Sequence, residues 1–572
     1  MLLNLAIFLA VFALFWFRPK ALRAAVRPVR VVFGYFARHA ALAIASAAAL
    51  PLLIRLCMLP VLPIPLPRIH DEFSYLLAAD TFAHGRVTNL THPLWEFFES
   101  FHVLQQPSYM SKYPPAQGLF MAAGQVLFGH PWWGVFLSVG LMCGAMCWML
   151  QAWLPGKWAL FGALAVGLQF GVTHYWMNSY WGGAPAAIGG CLVLGAYGRL
   201  RKFRPLSSSA LANGILLAVG VAILLNSRPW EGMTVMLPVA VSLLYSFFRD
   251  HAGAFRRRFV SALVPCSLLL TVTAASMLYY CWRITGNPLR LPYVAVHKTY
   301  STVPLFVWQS STPAPHYRHA VMQRFYTEWE PHYQSVDQLK TLHGWIAIQK
   351  TRLRMAKEVL FGNFFLLLCL ASGLFLWRAP ASRFLIAVLA LFLAALSVEG
   401  WCQIHYFAPV IGLAAALKLL SLRRLACFRF RGRRVGQACA TAVILCSAVS
   451  LIEHLKPEPS TAAFPRERAA IERTLEAQPG GQVVLVRYSA THNPIQEWVY
   501  NRADIDASKV VWARDDMPPQ EDRRLLAYFK DRHFWLLQPD RSPQDLRRYP
   551  EVPQTIYSKA LPLLPPPGGT TK

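Results

Sequence analysis

Two adjacent acids, Asp71 and Glu72, and a lysine about forty residues later, in Lys112-Tyr113-Pro114-Pro115, are the residues best suited to chemistry in this sequence. A carboxylate can take the proton of an attacking hydroxyl or amine. A lysine ammonium can hold a phosphate as a compact point charge, and the two prolines fix an extended turn that presents it rigidly. Both groups lie in one polar, aromatic-rich stretch, 67–118, set between apolar runs. Each also has a plainer reading. Asp is a favoured helix N-cap, and Phe73, Leu76, Leu77 and Ala83 recur at helical spacing just after it; Lys112 has the alternative of an ordinary interfacial lysine.

Further polar clusters interrupt apolar runs: NSYWGG at 178–183, SRPWEG at 227–232, GWCQIHYFAP at 400–409, and a long segment with Tyr293, His297, Tyr300, Trp308 and Gln309. Short turns need no Arg, Glu or His merely to connect helices, so Arg228, Glu231 and His405 join the candidates, with Tyr113, Trp181 and Tyr406 as substrate contacts. For Trp181 and Trp230 the alternative is membrane-interface belting. Arg55 lies within an apolar run, where a charge either snorkels or meets an anion such as a lipid phosphate. His70, His92, His102 and His405 show no recognised metal-ligand spacing, so no metal ligands are assigned; a divalent ion is left open.

The elements that must position these residues are membrane helices. Of the 572 residues, 55% are hydrophobic and 15% charged, and the mean hydropathy is +0.34. Apolar stretches of roughly 17 to 25 residues, long enough for a hydrocarbon core of ~30 Å, recur to about residue 453. The net charge of +28 sits in short basic clusters between them, which fits the positive-inside bias and excludes nucleic acid as the partner, since no basic stripe interleaved with aromatics appears. The first run, Leu2 to Phe17, lacks a cleavage site and reads as a short anchor. The 11 cysteines are scattered, none after Cys446, and Cys143 and Cys147 read as packing residues, so no disulfide framework is expected.

Counting spans so that each dense basic cluster falls on one side gives about twelve, with the 67–130 loop, the other polar clusters and the C-terminus on the outer side. After the linker KPEPSTAAFP, strand-like runs at 482–488, 510–513 and 534–537 alternate with helical ones at 466–478 and 521–530. The expected fold is therefore an all-α polytopic membrane protein, 1–456, with a small extracytoplasmic α/β domain, 457–572, built on a parallel sheet.

An acidic pair just after an early span, a Lys-x-Pro-Pro in the same outer loop and about a dozen spans resemble the GT-C membrane glycosyltransferases. The nearest branches are the bacterial aminoarabinose and galacturonic acid transferases of lipopolysaccharide and the protein O-mannosyltransferases (family 39-like). The resemblance is firmest over about 40–204 and absent from the C-terminal domain. It implies an inner-membrane enzyme that moves a sugar from a polyprenyl phosphate to an extracytoplasmic lipid, polysaccharide or protein. It implies Asp71, with Glu72 beside it, as catalytic, and Lys112, with Arg228 or Arg55, as ligands of the donor phosphate. Tyr113 is inserted between the family's lysine and its prolines. No cofactor is implied with the lipid-linked sugar as substrate.

Two other classes compete. A transporter or flippase of glycolipid intermediates places ionisable groups in broken helices near the bilayer midplane, often with repeated halves. Here the acids cluster at one surface and no repeat appears. A non-catalytic membrane scaffold is the second rival.

Overall fold

The computed structural model describes residues 10, 13, 27–201, 209–250, 253–432, 435–455, 463–541 and 545–549. The expected anchor Leu2 to Phe17 and the Pro-rich tail lie essentially outside them. Among the described residues the chain is mostly helical: α1 (Arg27–Arg38), α2 (Ala40–Cys57), α3 (His70–Ala83), α4 (Pro115–Phe128), α5 (Trp132–Trp153), α6 (Gly156–Phe170), α7 (Ala184–Leu200), α8 (Ala210–Leu225), α9 (Pro229–Phe248), α10 (Ala254–Thr285), α11 (Pro292–Tyr300), α12 (Leu342–Ala356), α13 (Gly362–Ala371), α14 (Pro380–Leu396), α15 (Ile411–Ala426) and α16 (Val435–His454), with shorter turns between.

Among the described residues, five helical segments are long and apolar enough to cross a membrane: Ala40–Cys57, Trp132–Trp153, Pro229–Phe248, Phe255–Thr285 and Ile404–Ala426; α7, α8, α14 and Val435–Val449 are apolar but shorter. Leu263, Val264, Leu268 and Val272 of α10 are all exposed, a surface that suits lipid and not water. One expected span departs from a single helix. Over Val359 to Trp377 the chain forms a π-turn at Lys357–Phe361, then α13, then Gly373–Arg378. Gly362, at φ +69°, adopts a conformation that interrupts a helix at little cost to glycine alone.

Helix α7 lies at the centre of the bundle because its small residues let backbones meet. A Cβ on Gly190 would stand 2.0 Å from the Pro409 carbonyl oxygen, and one on Gly195 would stand 2.2 Å from the Trp148 ring. Close approach through small residues is how membrane helices gain packing without a hydrophobic driving force. Gly190→Ala is expected to push away the 3-10 turn Ile404–Val410, which carries His405, at a cost of ~1 to 3 kcal/mol. A thermal unfolding midpoint in detergent equal to the parent's would contradict this.

Two small sheets sit at one end of the bundle. In the 67–130 loop, β1 (Asn89–Leu90) and β2 (Val103–Leu104) flank β3 (Ser108–Ser111), both antiparallel to it. Near the C-terminus, β4 (Gln482–Val486) pairs in parallel with β5 (Val510–Arg514) and β6 (His533–Gln538), and β7 (Asp545–Arg548) adds an antiparallel edge. Three of these strands fall on the expected runs; the fourth was not anticipated. The sheet does not keep its core to itself. Phe73 and Leu77 of α3, with Leu94, Phe97, Phe98 and Tyr109 of the loop, share one buried cluster with Val483, Leu485, Trp498 and Trp512. Polar bonds pin the same contact: Tyr500 Oη donates to the Phe101 carbonyl (3.2 Å), Arg514 Nε to that of Glu99 (2.7 Å), and the Ala503 amide to Asp80 (2.9 Å).

Candidate active site

Helix α3 begins at His70, and its N-cap residue is Ile69, with no side-chain cap bond. Asp71 therefore does not serve as the cap, which was its plainer reading. Its carboxylate, 16% exposed, instead accepts a hydrogen bond from the Tyr113 hydroxyl and lies 3.3 Å from His70 Nε2 and 3.9 Å from His102 Nε2.

His102 and Lys112 are brought together by strand register. Val103 pairs with Ser111 and Leu104 with Met110, so the next pair outward is His102 with Lys112. The Lys112 amide donates to the His102 carbonyl (3.1 Å), and Nζ donates to His102 Nδ1 at 2.7 Å. His102 has φ +64°, a left-handed conformation uncommon outside glycine. Ser74 of α3 holds it there by donating to its carbonyl at 2.7 Å. The outcome sets the His102 ring between an anion, Asp71, 3.9 Å from one nitrogen, and a cation, Lys112, bonded to the other.

Around Lys112 lies a second layer. Its Nζ stands 4.9 Å from the centre of the Tyr293 ring and 5.1 Å from that of Tyr113. Burial pulls the amine down to about 8, although the negative charge of Asp71 opposes the shift. Arg228, whose field Lys112 feels, precedes Pro229 at the start of α9. It pairs with Glu231 at 3.4 Å and lies over the Tyr406 ring at 4.1 Å. His405 accepts or donates at Nδ1 with the Tyr175 hydroxyl (3.0 Å) and packs edge-on to Trp181, ring centres 4.7 Å apart. Contacts thus join Lys112 to Tyr113 and Tyr293, and run from Glu231 through Arg228, Tyr406 and His405 to Trp181.

No protein-family model and no curated protein matches this chain. Among solved structures it is similar to ArnT from Cupriavidus metallidurans bound to undecaprenyl phosphate, at 13% identity over 86% of this chain and 92% of that one, with a TM-score of 0.46. It is also similar to the Archaeoglobus fulgidus oligosaccharyltransferase in complex with zinc and sulfate, at 10% identity over 87% of this chain and 67% of that one, with a TM-score of 0.47. Both are GT-C fold glycosyltransferases, the group that the loop residues resemble. At such identities and scores, the reaction must be read from this chain's own residues.

Two of the expected residues are occupied elsewhere. Glu72, 1% exposed, accepts from the amides of Arg68 (3.2 Å) and Tyr180 (3.0 Å), and burial lifts its carboxyl to about 7. It ties the loop to the 178–183 turn. Arg55 is fully buried and donates to Asn178 Oδ1 and to the carbonyls of Leu62 and Pro63 at 2.7–3.0 Å. With Trp132 against its face, its guanidinium neither snorkels nor faces lipid.

Two acids escaped the sequence reading. Glu330, buried and bonded to Ser301 Oγ at 2.7 Å, is raised to about 7 by burial and feels Lys112. Glu399 is raised well above the usual carboxylate range by burial, with Glu231 adding to the shift and Arg228 and Arg352 opposing it. Glu399 directly follows an apolar run, the same placement that marked Asp71. Glu330 lies in a segment without periodicity, and only the scarcity of acids in the apolar part of the chain pointed to it.

His70, Asp71 and His102 bring three ligand atoms within 4.8 Å of one another. With Lys112 donating to His102 Nδ1, the ring proton sits on Nε2, the nitrogen that faces Asp71, and the ammonium would repel a cation. The trio fits a proton- and charge-holding cluster, not a metal seat, so no step is routed through a metal.

Proposed function

We propose that this chain is an inverting membrane glycosyltransferase that moves a sugar from a polyprenyl-phosphate donor to an extracytoplasmic acceptor. The observation that carries the reading is the Asp71 carboxylate, free of any capping role, lying 3.9 Å from His102, whose other ring nitrogen is bonded to Lys112. Asp71 takes the proton of an acceptor hydroxyl or amine. The freed oxygen or nitrogen attacks the anomeric carbon, and the bond from that carbon to the phosphate oxygen breaks. Its electron pair leaves on the lipid phosphate, whose added charge Lys112 and Arg228 stabilise in a partly dehydrated setting. One displacement inverts the configuration. Tyr113, His70 and His102 hold Asp71 in place, and Trp181, His405, Tyr406 and Glu231 form the wall facing the sugar. Glu72 acts as a positioning residue through the backbone.

In this reading the protein sits in the inner membrane with about twelve spans. The loop and the C-terminal α/β unit face outward, and the bilayer, the lipid-linked sugar and the acceptor are its partners. Transport is disfavoured because the ionisable groups around Asp71 and Lys112 gather at helix ends and in loops instead of at mid-span. The test is transfer of radiolabelled sugar from polyprenyl phosphate by the purified full-length protein across a panel of membrane acceptors, with the product's anomeric configuration determined. Transfer with inversion supports the reading. Retention of configuration overturns the single displacement, and absence of transfer across the panel directs attention to lipid flipping.

A further inference from the structure

Away from the catalytic wall, α12 and the π-turn after it border a groove of about 420 Å³, a size within the ~300–1,000 Å³ range of ligand pockets. Lys350, Arg354 and Lys357 line one side, and Leu360, Phe361 and Leu393 are among its apolar walls. The three cations are spaced i, i+4, i+7 and share one helix face. None has an ion-pair partner among the described residues; Glu358, next in sequence, is exposed and pairs with none of them.

The opposite face of α12 is fixed. Arg352 is buried and donates to the carbonyls of Leu396 (2.8 Å), Glu399 (2.7 Å) and Gly400 (3.0 Å). The groove is therefore preformed, and its height is set: Leu393 lies one turn before the end of the apolar helix α14, where that helix gives way to the polar segment beginning at Glu399. Leu353, between the cations, is 56% exposed. A basic rim over an apolar interior at the end of a membrane helix matches a molecule with an anionic head and a hydrocarbon tail.

The side of the membrane sharpens the point. Basic residues on the cytoplasmic side follow from the positive-inside bias and need no ligand. In the topology proposed above, this cluster lies on the other side, with the catalytic loop, where that bias explains nothing.

We infer that this groove binds an anionic phospholipid, with the phosphate on Lys350, Arg354 and Lys357 and an acyl chain against Leu360, Phe361 and Leu393. The inference does not depend on sugar transfer and is tested without it.

Purified full-length protein in neutral detergent is mixed with phosphatidylglycerol or phosphatidylcholine, and retained lipid is counted by native mass spectrometry. The wild type is expected to retain phosphatidylglycerol on the order of 10²-fold better, given three cations near the surface, and Lys350→Gln/Arg354→Gln/Lys357→Gln to lose that preference. Arg256→Gln/Arg257→Gln, which alters exposed cations on α10, should keep it. An unchanged unfolding midpoint in the triple variant shows that the loss is local; if the midpoint falls, Leu353→Glu, which puts a negative charge at an exposed position lining the groove, replaces it and should likewise lose phosphatidylglycerol. Equal retention of both lipids by the wild type, or undiminished retention by the triple variant, overturns the inference. So does displacement of phosphatidylglycerol by equimolar inorganic phosphate, which would assign the cations to a free anion.

Discussion

Asp71→Asn is expected to lower sugar transfer by ~10² to 10⁴, the usual worth of a general base, while leaving the protein folded and inserted. Asparagine matches aspartate in size and still accepts the Tyr113 hydroxyl at its remaining carbonyl oxygen, so the surroundings of α3 need not move. What it lacks is a lone pair basic enough to take the acceptor's proton. Because the cap of α3 is Ile69, the substitution removes no helix cap, and a fall in turnover cannot be assigned to loss of the helix start. The comparison requires equal membrane abundance and equal donor binding. Turnover within a few-fold of the parent under those conditions would remove Asp71 from the role of base.

Lys112 gives the second large effect, and it carries a pH signature. Its amine is held near 8 by burial, opposed by Asp71. Below that value it keeps its proton and charge; as pH rises through it, the charge is lost, and with it the hold on a departing phosphate. Donor-dependent kcat/KM should therefore fall on the alkaline side with a midpoint near 8. Lys112→Ala should lose ~10² to 10³ at neutral pH, by analogy with removal of one electrostatic stabiliser from a reacting site. Lys112→Arg keeps a charge throughout this range but cannot reproduce a point contact with His102. Its profile should be lower at pH 7 and flat where the parent declines. A parental alkaline limb in Lys112→Arg would show that another group titrates.

Asp71 and Lys112 were legible as candidates because residue type and placement relative to an apolar run say much about a membrane protein. A charge directly after a span sits at the surface, and a Pro-Pro fixes what precedes it. Helix positions were legible for the same reason, since apolar length is nearly the only requirement for crossing. The partner between the two residues was not. His102 reaches both through the register of a two-residue strand against a four-residue one, and strands so short carry no alternation to read. Arg55 and Glu72 illustrate a different limit. Each has the right chemistry, but each is satisfied by carbonyls or amides from 4 to 123 residues away, and such partners appear only once the chain has folded. The sheet near the C-terminus was visible as strand-like runs, but its shared core with the loop was not, because apolar strand residues do not announce which surface they will cover.

That shared core makes the order of synthesis matter. The loop bearing Asp71 emerges early, yet the apolar cluster of Phe73, Leu77, Phe97 and Phe98 is completed by residues from 464–549, and the backbone leading to His102 is held by Tyr500 and Arg514. A ribosome must finish nearly the whole chain, and in the proposed topology the last segment must cross the bilayer, before the site can take its final shape. A half-made molecule would hold the acid and the lysine in one loop without the scaffold that seats them. Completion of the polypeptide thus works as a licence for activity, and a chain stopped before residue 482 should insert in the membrane with that loop open to proteases.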